Sequence, residues 1–379
     1  MNAMNRNLRI DRVGDRLDEF IGVPFGLHAD DPTWIPPLYL ERRDALKPGG
    51  TPFLRRAQTE MWIARRNGRA VGRISAQIDP FTLKRYPGTG HFGLLAAEDD
   101  PAVFDALLST AEGWLRERGM QRVLGPFSLS INEESGLLVD GFDTPPMMMM
   151  PHDRPYIGGY LERAGYAKAM DLLAYCLDTA NPMPDSLQRL MARPLPANVT
   201  LRTLNWSDYA QEIQRLVGIF NDAWSENWGS IPFDQAEIDM MAKQLRPLIE
   251  RRFVWFAEVD GEAVAFVVCL PNLNEAIEDL NGRLLPFGWA KLLWRIKVSG
   301  LSSARVPLMG VRKRMNKTLL GGILPFLLIG NLHREVHARG IAKVELSWVL
   351  ENNKPMRAVA EALSGPAYKT YRVYEKPLA

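Results

Sequence analysis

The sequence is poor in the residues that build disulfide networks and metal sites. Of its 379 residues only two are cysteine and five are histidine. Cys176 and Cys269 lie far apart without neighbouring histidines, so neither a disulfide network nor a zinc site is indicated. No glycine fingerprint of a nucleotide redox cofactor follows the first strand. We therefore expect a protein of a reducing compartment that uses no metal and no redox cofactor.

Long apolar runs and an excess of one charge are also lacking. The most apolar stretch, 319–329, is shorter than the about 20 residues that span a bilayer. The first twenty residues carry charges throughout and have no apolar core of a signal peptide. With 46 basic and 44 acidic residues the chain gives no indication of nucleic-acid binding. We expect a globular cytoplasmic protein.

The length of the chain predicts two domains, because single domains cluster near about 100–200 residues. The segment 178–198 contains four prolines, and neither helical nor strand periodicity persists through it. We predict one domain over residues 1–180, a linker over residues 181–198 and a second domain over residues 199–379.

Two similar successions of elements lie on either side of this linker. In each half a β-hairpin is followed by a strand, a long helix and another strand, and a Tyr-bearing strand closes the half. The predicted elements are 60–64, 70–78, 91–96, 101–119 and 122–126 in the first half, and 253–258, 263–270, 305–311, 317–339 and 343–350 in the second half. This pattern indicates an internal duplication of one α/β unit.

A basic loop precedes the long helix of the second half. It contains Arg312, Lys313, Arg314 and Lys317. Free N–H groups at a helix N-terminus next to cations form a site for a pyrophosphate. The same cluster is also typical of a solvated basic face, so both interpretations stay open.

A second stretch, 283–297, combines tryptophan, leucine and basic residues. Its apolar residues share one helical face, and its cations lie largely elsewhere. The apolar residues are Leu285, Trp289, Leu292, Leu293 and Ile296, and the cations are Lys291, Arg295 and Lys297. This pattern is typical of a helix at a lipid interface. It predicts a lipid substrate and peripheral contact with the inner membrane surface, or else a helix that covers the core of its own domain.

The order of elements resembles that of the GNAT acyltransferase superfamily. Four long strings are further similar to the tandem-GNAT family that includes bacterial ceramide synthases. They are DPTWIPPL (31–38), GPFSLSINEESGLLVDGFDTPPMMMMPHDRPYIGGYLERAGY (125–166), FNDAWSENWG (220–229) and NKPMRAVAEALSGPAYKTYRVYEK (353–376). The resemblance implies an α/β fold with two tandem GNAT domains, each a mixed, mostly antiparallel sheet flanked by helices.

The same resemblance implies a function. A fatty acyl group would pass from acyl-CoA to the amine of a sphingoid base, sphinganine or its 3-keto form. Short-chain transfer to a soluble amine and acyl-CoA binding without catalysis are the alternatives.

The resemblance places the acyl-CoA site in the second domain. The residues implied to line it are Met309, Gly310, Val311, Arg312, Lys313, Arg314, Asn316, Lys317 and Asn353. The family pattern has glycines in the phosphate loop, whereas this chain has Asn316 there and Gly321 and Gly322 only later. Asn353 is equally well explained as the cap of the following helix.

The catalytic residues are less clearly indicated. Many GNAT enzymes have a tyrosine four residues before the glycine that ends the last helix, and this chain has Glu361 there. Tyr368 or Tyr371 is the candidate replacement as the acid, although both also suit packing in a strand. Glu226, like the carboxylates at 275 and 278, is a candidate base or a surface group. In the first half Leu161 holds the tyrosine position, so we expect that domain to lack catalysis.

Candidate substrate contacts come from both halves of the chain. The second-half candidates are Asn221, Trp224, Asn227, Trp228, Asn274 and Trp289, which line a cleft or merely pack on the sheet. The first-half candidates are Ser130, Asn132 and His152, which shape a tunnel or satisfy a buried loop.

Overall fold

The computed structural model describes residues 7–378, which form two compact units. The first unit comprises residues up to 172, residues 277–289 and residues from 369 on; the second comprises residues 173–276 and 290–368. Each unit is therefore assembled from non-contiguous segments. The boundaries 1–180, 181–198 and 199–379 stay a prediction, and residues 1–6 and 379 lie outside the described part.

The strands confirm the predicted hairpins and the strands that follow them. They are β1 Leu8–Arg12, β2 Gln58–Arg66, β3 Arg69–Ile78, β4 Thr89–Ala97, β5 Arg122–Gly125, β6 Phe127–Ser128, β7 Glu134–Ser135, β8 Leu137–Asp140, β9 Ala167–Asp178, β10 Val199–Thr203, β11 Val254–Val259, β12 Glu262–Pro271, β13 Ser303–Val311, β14 Lys343–Leu350 and β15 Lys369–Pro377.

The helices include the long helix predicted in each half. They are α1 Leu17–Leu27, α2 Tyr39–Leu46, α3 Pro52–Arg56, α4 Pro80–Arg85, α5 Pro101–Arg116, α6 Tyr156–Arg163, α7 Asp185–Met191, α8 Tyr209–Trp224, α9 Gln235–Leu245, α10 Leu273–Ile277, α11 Gly288–Trp294, α12 Leu319–Ala338 and α13 Lys354–Ser364. The proline-containing segment 178–198 holds the short helix α7.

The sheet of the first unit has the strand order β1-β2-β3-β4-β5-β15, and β8 pairs with β15. Its first four strands are antiparallel, whereas β4 and β5 are parallel. The last strand comes from the end of the chain, since Tyr374 pairs with Gly125.

The sheet of the second unit repeats this arrangement. β10, β11, β12 and β13 form an antiparallel run, and β14 then pairs in parallel with β13. Helix α12 covers one face, where Val267 and Val306 share a core with Leu328. Helix α8 covers the other face, where a β-carbon on Gly310 would lie 3.3 Å from that of Ala223. The shared succession supports the duplication predicted from the sequence.

In the first unit the gap beyond the paired residues of β4 and β5 is filled by the chain itself. The side-chain amide of Gln77 donates to the carbonyl oxygens of Phe127 and Leu129, each at 3.1 Å. An ideal β-carbon at Gly93 would lie 1.5 Å from the carbonyl oxygen of Phe127. Only glycine at position 93 lets the segment after β5 lie flat on β4.

We expect Gly93→Ala to destabilise the first unit by at least about 4 kcal/mol, because backbone would have to move to admit the methyl group. Chemical denaturation measures the loss. The control is Gly113→Ala in α5, where nothing lies within 4 Å of the added carbon. Helix propensity predicts that this control gains about 0.5–1 kcal/mol. Equal stability of both variants would contradict the role of Gly93.

Candidate active site

The parallel strands β13 and β14 pair over a short length and then separate. Residues 303–306 of β13 pair with residues 343–346 of β14. β13 then continues to Val311 alongside β12, with a register shift between Val268 and Leu270 that marks a bulge. Bulges often occur next to active sites, where they redirect side chains and free backbone groups. Beyond Val306 and Leu346 the two strands no longer pair.

A buried polar cluster lies at the point where the two strands separate. Arg305 and Glu345 are cross-strand partners, with Nε of Arg305 3.5 Å from Oε1 of Glu345. Ser347 joins them: its Oγ accepts from Nε of Arg305 at 2.8 Å and donates to Glu345 at 2.5 Å. The hydroxyl of Tyr368 donates to the other oxygen of Glu345.

The burial of this cluster makes it a candidate for chemistry. Arg305 is 2% exposed and Glu345 is fully buried, whereas Tyr368 is half-buried. Ions lose several kcal/mol of hydration on burial, and a well-packed apolar pair is often no less stable than a buried ion pair. Charged groups in such positions are candidates for a functional site. The sequence drew attention to Tyr368 but not to Glu345 or Arg305.

The basic loop after β13 is partly neutralised by nearby carboxylates. Glu262 lies 3.7 Å from Nε of Arg312 and 2.7 Å from Nη2 of Arg314. Arg314 and Glu262 are more than half exposed and Arg312 is 28% exposed, and exposed pairs contribute about 0–1 kcal/mol. The two guanidinium groups therefore exchange a carboxylate for a phosphate at little cost.

The two lysines of the loop differ in their surroundings. The ammonium group of Lys313 lies 2.6 Å from the carboxylate of Glu226. The backbone N–H of Lys313 donates to the carboxylate of Asp222 at 2.8 Å. Among residues 7–378, Lys317 forms no ion pair. Glu226, a predicted base, is 84% exposed in this pair and lies at the cation loop rather than in the buried cluster.

Helix α12 begins directly after this loop. Thr318 caps it by accepting from the N–H of Gly321 at 3.0 Å, and the N–H of Asn316 donates to Lys313 at 3.0 Å. A β-carbon at Gly321 would lie 2.0 Å from the carbonyl oxygen of Met315, so the loop folds tightly against the helix. The first N–H groups of a helix have no intrahelical partner and bind anions. The role of this loop as a pyrophosphate site stays a prediction.

The end of α8 lies against the second half of β13. The indole N–H of Trp224 donates to the carbonyl oxygen of Met309 at 3.1 Å, next to Gly310 and Val311. The carbonyl oxygen of the Asn221 side chain is buried, and no residue between 7 and 378 donates to it. A buried acceptor without a partner costs about 1–3 kcal/mol, which a bound donor would recover. Contact of Asn221 with a substrate stays a prediction.

The remaining predicted contacts of the second half are more peripheral. Asn227 donates its N–H to Trp224 at 2.8 Å, and Trp228 is half-buried beyond the helix end. Asn274 lies in α10 and its N–H donates to Asn272 at 3.3 Å. Trp289 is 51% exposed.

The other carboxylates proposed as bases lie outside the buried cluster. Both oxygens of Glu275 accept backbone N–H bonds, from Ser302 at 2.8 Å and Ser303 at 3.0 Å. Glu278 is exposed and belongs to the first unit. The contacts of Glu275 give it a structural role.

Glu361 lies in a shallow cavity of about 470 Å³ on the second unit. It pairs with Arg357 at 3.1 Å and accepts from the hydroxyl of Tyr175 at 3.2 Å. Tyr175 comes from β9 and was not singled out in the sequence. Tyr371 is fully buried and belongs to the first unit.

Asn353 has the capping role that the sequence left open. Its side chain accepts from the N–H of Met356 at 3.2 Å at the start of α13, with Pro355 in the first turn. Contact with the cofactor stays a prediction.

In the first unit His152 belongs to a buried network. Its Nε2 lies 3.0 Å from Asp31, whose other oxygen accepts from the N–H and hydroxyl of Thr33 at 3.0 and 2.8 Å. Ser130 accepts from the N–H of Asn132 at 3.2 Å within one turn. These contacts tie the string 31–38 to the long string 125–166.

Burial keeps the histidines of this unit neutral. Burial lowers the pKa of His152. It also lowers the pKa of His28 to about 4, and the His28 ring stacks on Trp34 with the ring centres 5.0 Å apart. Burial likewise lowers the pKa of His91 to about 4, beside Phe127. The charged form of each ring is disfavoured because it loses hydration.

Residues 7–378 meet the requirements of neither a metal site nor a membrane-spanning helix. No group of three or more His, Cys, Asp or Glu side chains could hold a metal ion. No helix there is long and apolar enough to cross a membrane.

Two curated proteins are similar to this chain along nearly its whole length. Bacterial ceramide synthase of Caulobacter vibrioides is 54% identical over 364 residues, covering 96% of this chain and 95% of that protein. Protein YghO of Escherichia coli is 46% identical over 367 residues, covering 96% and 93%. No protein-family model matches the chain.

Solved structures share the fold at low identity. A tandem GNAT protein from the clavulanic acid biosynthesis pathway is 15% identical with a TM-score of 0.56, covering 98% of this chain and 99% of that chain. A GCN5-related N-acetyltransferase from Sphaerobacter thermophilus is 13% identical with a TM-score of 0.53, covering 99% and 97%. The predicted tandem GNAT fold is confirmed.

We expect His91→Gln to flatten the pH dependence of stability. Between pH 6.5 and about 4 the unfolded chain binds a proton at His91 that the folded chain does not bind, so the unfolding free energy falls as the pH falls. In this window the unfolding free energy of the variant should fall by up to about 1.4 kcal/mol less per pH unit than that of the wild type. Urea titrations from pH 7.5 to 4 test this, and parallel curves for both proteins would contradict it.

Proposed function

The chain belongs to the tandem-GNAT acyltransferase family that includes bacterial ceramide synthase, and from this premise we propose that it acylates a sphingoid base with a fatty acyl-CoA. Its enzyme class is N-acyltransferase. The proposed acceptor is the amine of sphinganine or 3-ketosphinganine, and the product is the N-acylated base and free CoA.

The observation that carries this proposal is the buried cluster of Arg305, Glu345, Ser347 and Tyr368 at the strand separation of the second unit. The basic loop and the first turn of α12 follow the same strand β13. In our proposal the loop holds the diphosphate of CoA and the opening between β13 and β14 receives the arm that carries the thioester.

The proposed chemistry gives the cluster two proton transfers. The amine attacks the thioester carbon, so that a C–N bond forms and the C–S bond breaks. The half-buried Tyr368 relays the proton that the amine releases to Glu345; the tyrosine hydroxyl then gives a proton to the departing thiolate and takes one back from Glu345. A backbone N–H of the bulged β13 near Met309 is the proposed donor to the oxyanion.

Asn221 is proposed to hold the acceptor. Its buried carbonyl oxygen suits an ammonium, amine or hydroxyl donor, and sphingoid bases carry both amine and hydroxyl groups. Trp224 and Phe220, stacked at 4.9 Å, offer an apolar surface beside it.

The first unit is proposed to have no catalysis of its own. The segment Phe127–Ser128 lies over β4 at the equivalent strand separation, and Gln77 holds it there. A cofactor arm would have to displace this main chain. The proposed role of the first unit is structural, with the network around His152 holding its loops.

The proposed location is the cytoplasm, with peripheral contact at the inner membrane surface where both lipid substrates reside.

We expect purified protein to release free CoA from palmitoyl-CoA with sphinganine or 3-ketosphinganine, and to form the N-acylated base. Free thiol and product mass are measured across a panel that also contains acetyl-CoA and soluble amines. Turnover only with acetyl-CoA and soluble amines would replace the lipid proposal by short-chain transfer. Acyl-CoA binding without turnover would replace it by a binding function.

We expect Tyr368→Phe to lower kcat by about 10²–10⁴-fold, because the proton donor is lost. The matched control is Tyr371→Phe, which removes a hydroxyl three residues further along the chain in the first unit. Loss of one hydrogen bond to Glu345 should cost about 1.5–3 kcal/mol of stability, so calorimetry accompanies the kinetics. Wild-type kcat in folded Tyr368→Phe would remove Tyr368 from the mechanism.

A further inference from the structure

Exposed apolar side chains are concentrated in one short stretch of this protein. Eleven large hydrophobic residues are exposed between positions 7 and 378, and six of them lie within residues 285–298. They are Leu285 at 72%, Phe287 at 78%, Trp289 at 51%, Leu293 at 51%, Trp294 at 57% and Val298 at 70%. Scattered apolar residues on a surface are normal, whereas a contiguous group marks a site of interaction.

The charge of the same stretch is one-sided. Residues 281–300 contain four cations, Arg283, Lys291, Arg295 and Lys297, and no acidic residue. The whole chain has a net charge of +2, so this stretch contributes +4 and the rest of the chain 2 − 4 = −2. An anionic partner would therefore be attracted to this stretch.

The stretch is held in place rather than loosely attached. The carbonyl oxygen of Gly282 accepts from the N–H of Tyr39 at 2.9 Å, and Nη1 of Arg295 donates to the carbonyl oxygen of Ala276 at 2.9 Å. Helix α11 and the π-helical turn Arg295–Ser299 form its second part. Leu292 and Ile296 are half-buried and cover the protein beneath the stretch. The six exposed apolar side chains are therefore not needed for that contact.

A groove accompanies the first part of the stretch. It has a volume of about 640 Å³, and its lining combines the apolar residues Phe25, Leu280, Leu285, Pro286 and Phe287 with the charged residues Asp279 and Arg283. Leu285 and Phe287 are the two most exposed residues of the group, so an apolar chain reaching this surface meets hydrophobic side chains at once.

We propose that residues 283–298 form a docking surface for a bilayer that contains anionic lipid. The six exposed apolar side chains insert at the level of the headgroups and acyl-chain boundary, and the exposed cations Arg283, Lys291 and Lys297 lie among the anionic headgroups. This inference rests on the proposed function in that the lipid substrates reside in such a bilayer, but it concerns binding to the surface and not turnover.

A second copy of the chain is the competing occupant of an apolar surface. The one-sided charge argues against it, because two copies of the same surface would bring eight cations together without an acidic partner in either stretch. A lipid surface with negative headgroups complements both the apolar and the charged side chains.

The test is flotation of the full chain with vesicles of phosphatidylethanolamine containing about 30% phosphatidylglycerol, against vesicles of phosphatidylcholine alone. We expect the protein to float with the anionic vesicles and to be released by added salt, since each cation near the surface contributes about fivefold to binding. Leu285→Ser with Phe287→Ser should lower partitioning at least tenfold, and Lys291→Gln with Lys297→Gln should lower it about 25-fold on anionic vesicles.

Matched controls use exposed residues elsewhere. Leu40→Ser removes a side chain that is 53% exposed in α2, and Lys243→Gln removes an exposed cation in α9; neither should change flotation. Equal binding to both kinds of vesicle, or wild-type binding of the double serine variant, would overturn the proposal. So would light scattering that shows a dimer which the serine variant dissociates, without vesicle binding.

Turnover of detergent-dispersed substrates separates this inference from the proposed function. The double serine variant should keep wild-type turnover in detergent while it loses flotation. Absence of turnover in the wild type would remove the proposed function and leave the flotation result standing by itself.

Discussion

The buried contact between Arg305 and Glu345 is the constraint on which the second unit depends. The two residues are cross-strand partners within the last paired residues of β13 and β14. Both are removed from water, so each needs the other and the hydroxyl groups of Ser347 and Tyr368. The contact therefore lies at the end of the paired residues. There Glu345 accepts the hydrogen bonds of the Ser347 and Tyr368 hydroxyl groups.

The same arrangement of strands serves two different ends in the two units. Both have a parallel pair that follows an antiparallel run and then separates. In the first unit the chain itself occupies this position, because Gly93 allows the carbonyl group of Phe127 to lie directly over β4. In the second unit a bulge and a buried polar cluster occupy the equivalent position. In this duplicated fold the chain's own backbone lies on β4 in the first unit, whereas a polar cluster lies where the strands separate in the second.

Electrostatics are distributed unevenly along the chain. The nearly balanced total hides a basic loop at α12, whose guanidinium groups share the exposed carboxylate of Glu262, and a basic apolar stretch that has no acidic residue of its own. Weak surface pairs of the first kind exchange their partner readily. The stretch 281–300 contains no carboxylate, so any anionic partner of its cations comes from outside that stretch.

The sequence by itself determined the duplicated α/β pattern, the hairpins, the basic loop before α12 and the family, because hydrophobic periodicity, turn residues and long strings are local properties. It also placed Tyr368, Asn221 and Trp224 among the candidates. It missed Arg305 and Glu345, since each looks like a polar residue in an alternating strand. Only the register between β13 and β14 brings them together. It likewise placed Glu361 without its neighbour Tyr175, which comes from a strand 186 residues away. Which side chains share a buried site, and which apolar side chains remain in water, was decided by tertiary structure, because pairing and burial depend on residues far apart in the chain.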